Sequence, residues 1–130
     1  MKPKIFIIFI MPVLTLILVG CSFKEEYAMQ YTIVDQAGIE TKVTATDDGV
    51  KLEIPFADFT CDIKSVKATL ERNESIFSVF IQGNETPARC SQKFSADING
   101  VSPGSYQLKV YYQRGEEKQV VLVEDFQVTQ

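Results

Sequence analysis

No histidine occurs among the 130 residues, and that absence limits the chemistry the chain can perform. Without imidazole there is no Ser-His-Asp or Cys-His nucleophilic machinery, and no histidine-ligated zinc or non-haem iron site. Acid–base work would fall to carboxylate pairs, of which Asp58 with Asp62 and Asp47 with Asp48 are the nominal candidates. Each pair reads more simply as solvated charge at a turn or strand end, so no enzymatic activity is expected. Asp47-Asp48-Gly49 offers the hard oxygen ligands that suit calcium but lacks the spaced third and fourth carboxylates of a calcium loop. A hairpin turn is the expected role, and neither metal nor cofactor is anticipated. The glycine-containing segments lack the spacing and the strand-to-helix context of a phosphate loop.

Tyr111 is the residue whose surroundings point most clearly to binding. Tyr106, Leu108, Val110 and Tyr112 alternate as one strand face, which turns Tyr111 outward together with Gln107 and Lys109. An outward tyrosine beside lysine and glutamine can stack on a sugar or anchor a protein partner. The competing role is a cross-strand aromatic pair that serves the sheet alone.

The first twenty residues carry a different kind of information. Met1 to Lys4 holds two lysines, and Ile5 to Val19 is an almost unbroken apolar run of 15 residues interrupted by Pro12. A membrane-spanning helix needs about 20 residues, whereas a charged start followed by a short apolar core is the pattern of an export signal. The run ends in Leu18-Val19-Gly20-Cys21, which resembles the lipobox of bacterial lipoproteins. That resemblance implies a diacylglyceryl group on the Cys21 thiol, cleavage before it and acylation of the new amino terminus. More than one acyl chain is what stable anchoring requires. Ser22 follows, rather than the aspartate that marks inner-membrane retention in enteric lipoproteins, so the outer membrane is favoured if the host has two. In a bacterial lipoprotein, Asn73-Glu74-Ser75 and Asn84-Glu85-Thr86 read as polar turns rather than as glycan acceptors, although both match that pattern.

Lipidation of Cys21 would leave Cys61 and Cys90 as an even pair in an oxidising compartment, where a disulfide is the default. A metal site is a poor alternative without CxxC spacing or histidine. Loss of Lys2 and Lys4 with the signal leaves eleven basic residues against seventeen acidic ones, a net charge of −6. Such a domain is repelled by anionic headgroups and by nucleic acid alike. Residues 21–30, with Lys24, Glu25 and Glu26, read as a tether that holds the domain within about 30 Å of the bilayer.

The remaining residues, 31–130, read as one domain of alternating strands punctuated by turns. Tyr31 to Val34 and Thr41 to Thr46 flank a Gln36-Ala37-Gly38 turn, and Val50, Leu52 and Ile54 share a face before Pro55 is expected to stop pairing. Val66, Ala68 and Leu70 follow, then Phe77, Val79 and Ile81 with Ile76 and Phe80 on the opposite face, the pattern of a central strand. Phe94, Ala96 and Ile98 precede turns at Asn99-Gly100 and Pro103-Gly104, and Arg114-Gly115-Glu116 signals a hairpin into Val120 to Val128. Val101-Ser102-Pro103-Gly104-Ser105-Tyr106 resembles a stretch of fibronectin type III, immunoglobulin-like and transthyretin-like sandwiches. In those folds the tyrosine hydroxyl bonds back to the backbone at a sheet corner. Leu108 stands where true immunoglobulin domains place their second cysteine, and there is no tryptophan, so any Cys61–Cys90 bridge would be particular to this chain.

The expected architecture is therefore all-β, a single immunoglobulin-like β-sandwich of seven or eight strands behind a cleaved N-terminal signal helix (residues 1–20). The expected role is that of a lipid-anchored interaction or accessory module on the extracytoplasmic side of the cell envelope, with an envelope protein or glycan as partner. An inhibitor or immunity-type lipoprotein, presenting an acidic stapled loop to a hydrolase's basic cleft, is the alternative.

Overall fold

Alternating apolar residues and two-residue turns generate eight strands in the computed structural model, which describes residues 26–34 and 40–129, without the side chains of 56–59. They are β1 (Ala28–Val34), β2 (Lys42–Thr46), β3 (Gly49–Thr60), β4 (Lys67–Asn73), β5 (Ile76–Gln82), β6 (Arg89–Asn99), β7 (Gly104–Arg114) and β8 (Glu117–Val128). One short 3-10 turn, Ile63–Ser65, separates β3 from β4. Cys21 and the Gln36-Ala37-Gly38 turn lie outside the described residues, as does the side chain of Asp58.

Three hairpins close through two-residue connections, each where turn chemistry expects one. Asp47-Asp48 joins β2 to β3, Glu74-Ser75 joins β4 to β5 with Glu74 at φ 55°, and Gly115-Glu116 joins β7 to β8 with Gly115 at φ 59°. The strands form two four-stranded sheets in the orders β1-β6-β3-β2 and β4-β5-β7-β8. All pairings are antiparallel except β5 with β7, which run parallel at the centre of the second sheet. An eight-stranded all-β sandwich is thus present among the described residues.

The inner faces supply a single core. Val50, Leu52, Ile54, Phe94, Ala96 and Ile98 come from the first sheet, and Phe77, Val79, Ile81, Leu108, Val110 and Phe126 from the second, all buried. Burial along β5 alternates strictly from Ile76 to Gln82, as a strand covered by apolar neighbours on its inner face should. Two expectations need correction. Pro55 does not end its strand, because β3 continues to Thr60 and pairs Pro55 with Lys93. The ladder with β2 stops at Glu53, so Pro55 sits where β3 has a partner on one side only and a missing N–H is tolerated. The sandwich also takes in the end of the presumed tether: β1 starts at Ala28, Met29 pairs with Ile98, and Tyr27 meets Phe77 edge-on at 5.4 Å.

The sheet corner forms as the Pro-Gly-x-Tyr stretch implied. Tyr106 is 8% exposed, and its hydroxyl donates a 2.6 Å hydrogen bond to the Ser102 carbonyl. Its ring stacks on Phe126 at 5.5 Å and meets Phe77 at 5.4 Å, with the Arg72 guanidinium 5.5 Å above it. At the other end of the sandwich Cys61 and Cys90 are joined in a disulfide that ties the end of β3 to the start of β6. The hydroxyl of Thr86 accepts the Cys61 N–H at 3.0 Å and donates to the Ala88 carbonyl at 2.6 Å, which binds the β5–β6 loop to the bridge.

Candidate binding surface

The outward residues of β5, β7 and β8 build the surface to which Tyr111 belongs. Parallel pairing of β5 with β7 places Phe80 directly opposite Tyr111, and the two rings stack at 5.0 Å with an interplanar angle of 15°. Lys118, from β8, holds its ammonium 4.6 Å from the centre of the Phe80 ring, a cation–π contact on the rim of the stack. Val120 lies opposite Tyr111, and Val123 lies opposite Lys109 on the same face. Val120 and Val123 are 49% and 48% exposed, which makes them the largest apolar exposures of this sheet.

Of the three residues singled out from the sequence, all face outward on β7, yet their situations differ. Tyr111 gives one ring face to Phe80 and is half-buried, so part of its surface is committed to the sheet. Gln107 donates from its amide to the Asp125 carboxylate at 3.1 Å, a cross-strand contact with β8. Lys109 is half-buried between Gln107 and Tyr111 along the outer face. Phe80, Lys118, Val120 and Val123 were missed as members of this surface. The outward direction of Phe80 was legible from alternation, but its neighbour was not, because β5 and β7 are separated by a whole strand of the other sheet.

Of the carboxylates singled out from the sequence, Asp48 and Asp62 hold turn and loop contacts. Asp48 serves its turn: its carbonyl accepts the Val101 N–H at 2.8 Å, and its carboxylate accepts the Gly100 N–H at 3.3 Å. Asp62 accepts the Asn84 amide at 3.4 Å beside the disulfide. No group of three or more His, Cys, Asp or Glu able to hold a metal ion occurs among the described residues. Glu53 is paired with Lys93 at 3.1 Å on the outer face of the first sheet, and the ammonium holds its carboxyl below the usual range. Tyr112, packed against the core, has its phenol pushed well above the ordinary value by burial.

An open groove of about 1120 Å³ lies at the β2–β8 edge, with Val43 and Ala45 on one side and Leu122, Glu124 and Phe126 on the other. Aromatic rings, lysines and exposed valines on one sheet face suit binding by stacking and apolar contact.

No family model, no curated protein and no solved structure matches the chain.

Proposed function

We propose that the protein is a bacterial lipoprotein, held in the cell envelope through lipid on Cys21, whose β-sandwich is a non-enzymatic interaction module. The observation that carries the binding role is the outward Phe80–Tyr111 stack, rimmed by Lys118 and the half-exposed Val120 and Val123. An aromatic and apolar patch on a rigid sheet is a common form of protein or glycan contact surface. Anchoring is supported by the order of charged start, apolar run, Gly20 and Cys21. The disulfide between Cys61 and Cys90 fits an oxidising, extracytoplasmic setting, and an outer-membrane location is favoured if the host has two membranes.

Two measurements test the two halves of this reading. Fatty-acid labelling of cells should mark the wild type and leave Cys21→Ser unlabelled; equal incorporation would remove the anchor. Affinity capture from detergent-solubilised envelope should recover an envelope protein or glycan that Tyr111→Ala fails to retain. Equal recovery by both chains would remove the surface, and a hydrolase as the sole captured protein would favour the inhibitor role instead.

A further inference from the structure

Among the described residues β8 is an edge strand: it pairs with β7 along one side and no strand of its sheet lies along the other, with β2 of the first sheet passing close to it. An open edge of twelve residues is a template for another strand, which proteins usually blunt by charge or by a bulge. β8 carries both devices, and their arrangement has an unexpected symmetry. The register with β7 shifts between Val110 and Tyr111, so that Val110 faces Leu122 while Tyr111 faces Val120, and Val121 is the extra residue. Val121 and Leu122 both pack toward the core.

The bulge therefore reverses the alternation at the middle of the strand. Lys118 and Val120 face outward before it, opposite Gln113 and Tyr111, while Val123 and Asp125 face outward after it, opposite Lys109 and Gln107. Read from the Val121/Leu122 midpoint in either direction, the sequence of faces is the same: inward, outward, inward, outward. The residue types mirror as well, with Val121 against Leu122, Val120 against Val123, Gln119 against Glu124, and basic Lys118 against acidic Asp125.

From this self-complementarity we infer that the partner of the β8 edge is a second copy of this chain, added antiparallel about a two-fold axis through the Val121/Leu122 midpoint. A two-fold axis perpendicular to a sheet keeps each residue on its own face, so partners across it must point the same way. In a regular strand an axis between two residues would set inward side chains against outward ones. The bulge at Val121 removes that conflict. Lys118 of each copy then opposes Asp125 of the other, and the exposed Val120 opposes Val123. Sliding the register by one residue, to an axis through Val121, sets Glu117 against Asp125 and loses the match of faces. The paired chains would share one eight-stranded sheet with two Phe80–Tyr111 stacks on a single face.

The register makes the test specific. In the full chain, Val120→Cys/Val123→Cys should form a covalent dimer on mild oxidation, because each new thiol faces the other kind across the axis. Within one strand the two positions are about 10 Å apart, and so are the two copies of Val120→Cys alone, beyond the reach of a disulfide. The single variant should therefore remain uncrosslinked. Sedimentation velocity of the unmodified chain in mild detergent should show a monomer–dimer equilibrium that Lys118→Asp weakens about tenfold and Lys118→Asp/Asp125→Lys restores. A monomer at every concentration, crosslinking of the single variant as efficient as the double, or no rescue by the charge exchange would each overturn the proposal.

Discussion

The Tyr106 hydroxyl reaches back four residues to the Ser102 carbonyl, while the Tyr111 ring, five residues further on in the same strand, lies outward against Phe80. One β-strand thus gives its first tyrosine to the core and a later one to the surface. Tyr106→Phe should cost about 1 kcal/mol, since the part-buried hydrogen bond to the Ser102 carbonyl is lost. Tyr106→Ala should cost about 3 to 5 kcal/mol, because the cavity adjoins both Phe77 and Phe126. Tyr111→Ala should cost about 1 kcal/mol, the worth of one stacked aromatic pair. Urea denaturation of the three variants gives the order, and a Tyr111→Ala loss exceeding that of Tyr106→Ala would reverse the two faces.

Reduction of the disulfide removes a constraint whose loop spans a sequence separation of 29 and contains all of β4 and β5. The chain-entropy account gives a loss of about 3.5 kcal/mol. Cys61→Ala/Cys90→Ala should show the same loss as reductant does, measured as the shift in urea midpoint. If the variant melts with the wild type, the bridge is absent from the folded protein or contributes nothing to it.

Gly49 and Gly115 offer a contrast between two reasons for glycine. A β-carbon on Gly49 would lie within van der Waals overlap of the Ile98 carbonyl oxygen, so the β3–β6 backbones would have to part. Gly49→Ala should cost about 3 kcal/mol or more. Gly115 has open space around it and a φ of 59°, so Gly115→Ala should cost only the left-handed penalty of about 1 to 2 kcal/mol. Chemical denaturation of both variants checks the order.

The Glu53–Lys93 pair sets a pH dependence whose sign follows from the lowered carboxyl. Its stabilisation is complete above the unfolded carboxyl value of about 4.3 and is lost as pH falls through the lower folded value. Lys93→Gln should therefore lower stability slightly near neutral pH, leave it unchanged well below the folded value, and flatten the acid limb between them by that same small amount, because solvent screens the pair. An acid limb of unchanged slope in the variant would remove Glu53 from the account.

Much of the sandwich was legible because its strands obey local rules. Phe77-Val79-Ile81 and Tyr106-Leu108-Val110 alternate cleanly, and the residues at Asp47-Asp48, Glu74-Ser75 and Gly115-Glu116 suit the turns they make. What local pattern does not encode is which strands lie side by side. Phe80 and Tyr111 are 31 positions apart and meet through a parallel pairing that no hairpin signal announces. Pro55 misled for a related reason: its cost depends on whether β2 extends beside it, and β2 does not. The run Val120-Val121-Leu122-Val123 breaks alternation within β8, and only the pairing with β7 shows which of these valines is the bulge. Of the candidate surface, Tyr111, Lys109 and Gln107 came from strand parity alone, whereas Phe80, Lys118, Val120 and Val123 required the sheet.

The parallel pair at the centre of the second sheet has a consequence for how the molecule holds together. After Gln82 the chain leaves that sheet, runs through the other as β6, and only then returns as β7 beside the strand it left. Neither layer is a contiguous piece of sequence, so no cut of the backbone separates one intact layer from the other. Melting should accordingly be cooperative, with both layers lost in one all-or-none step. The Phe80–Tyr111 stack at the centre of that surface is then tied to the whole fold, because β5 and β7 meet only once the chain between them has passed through the other sheet.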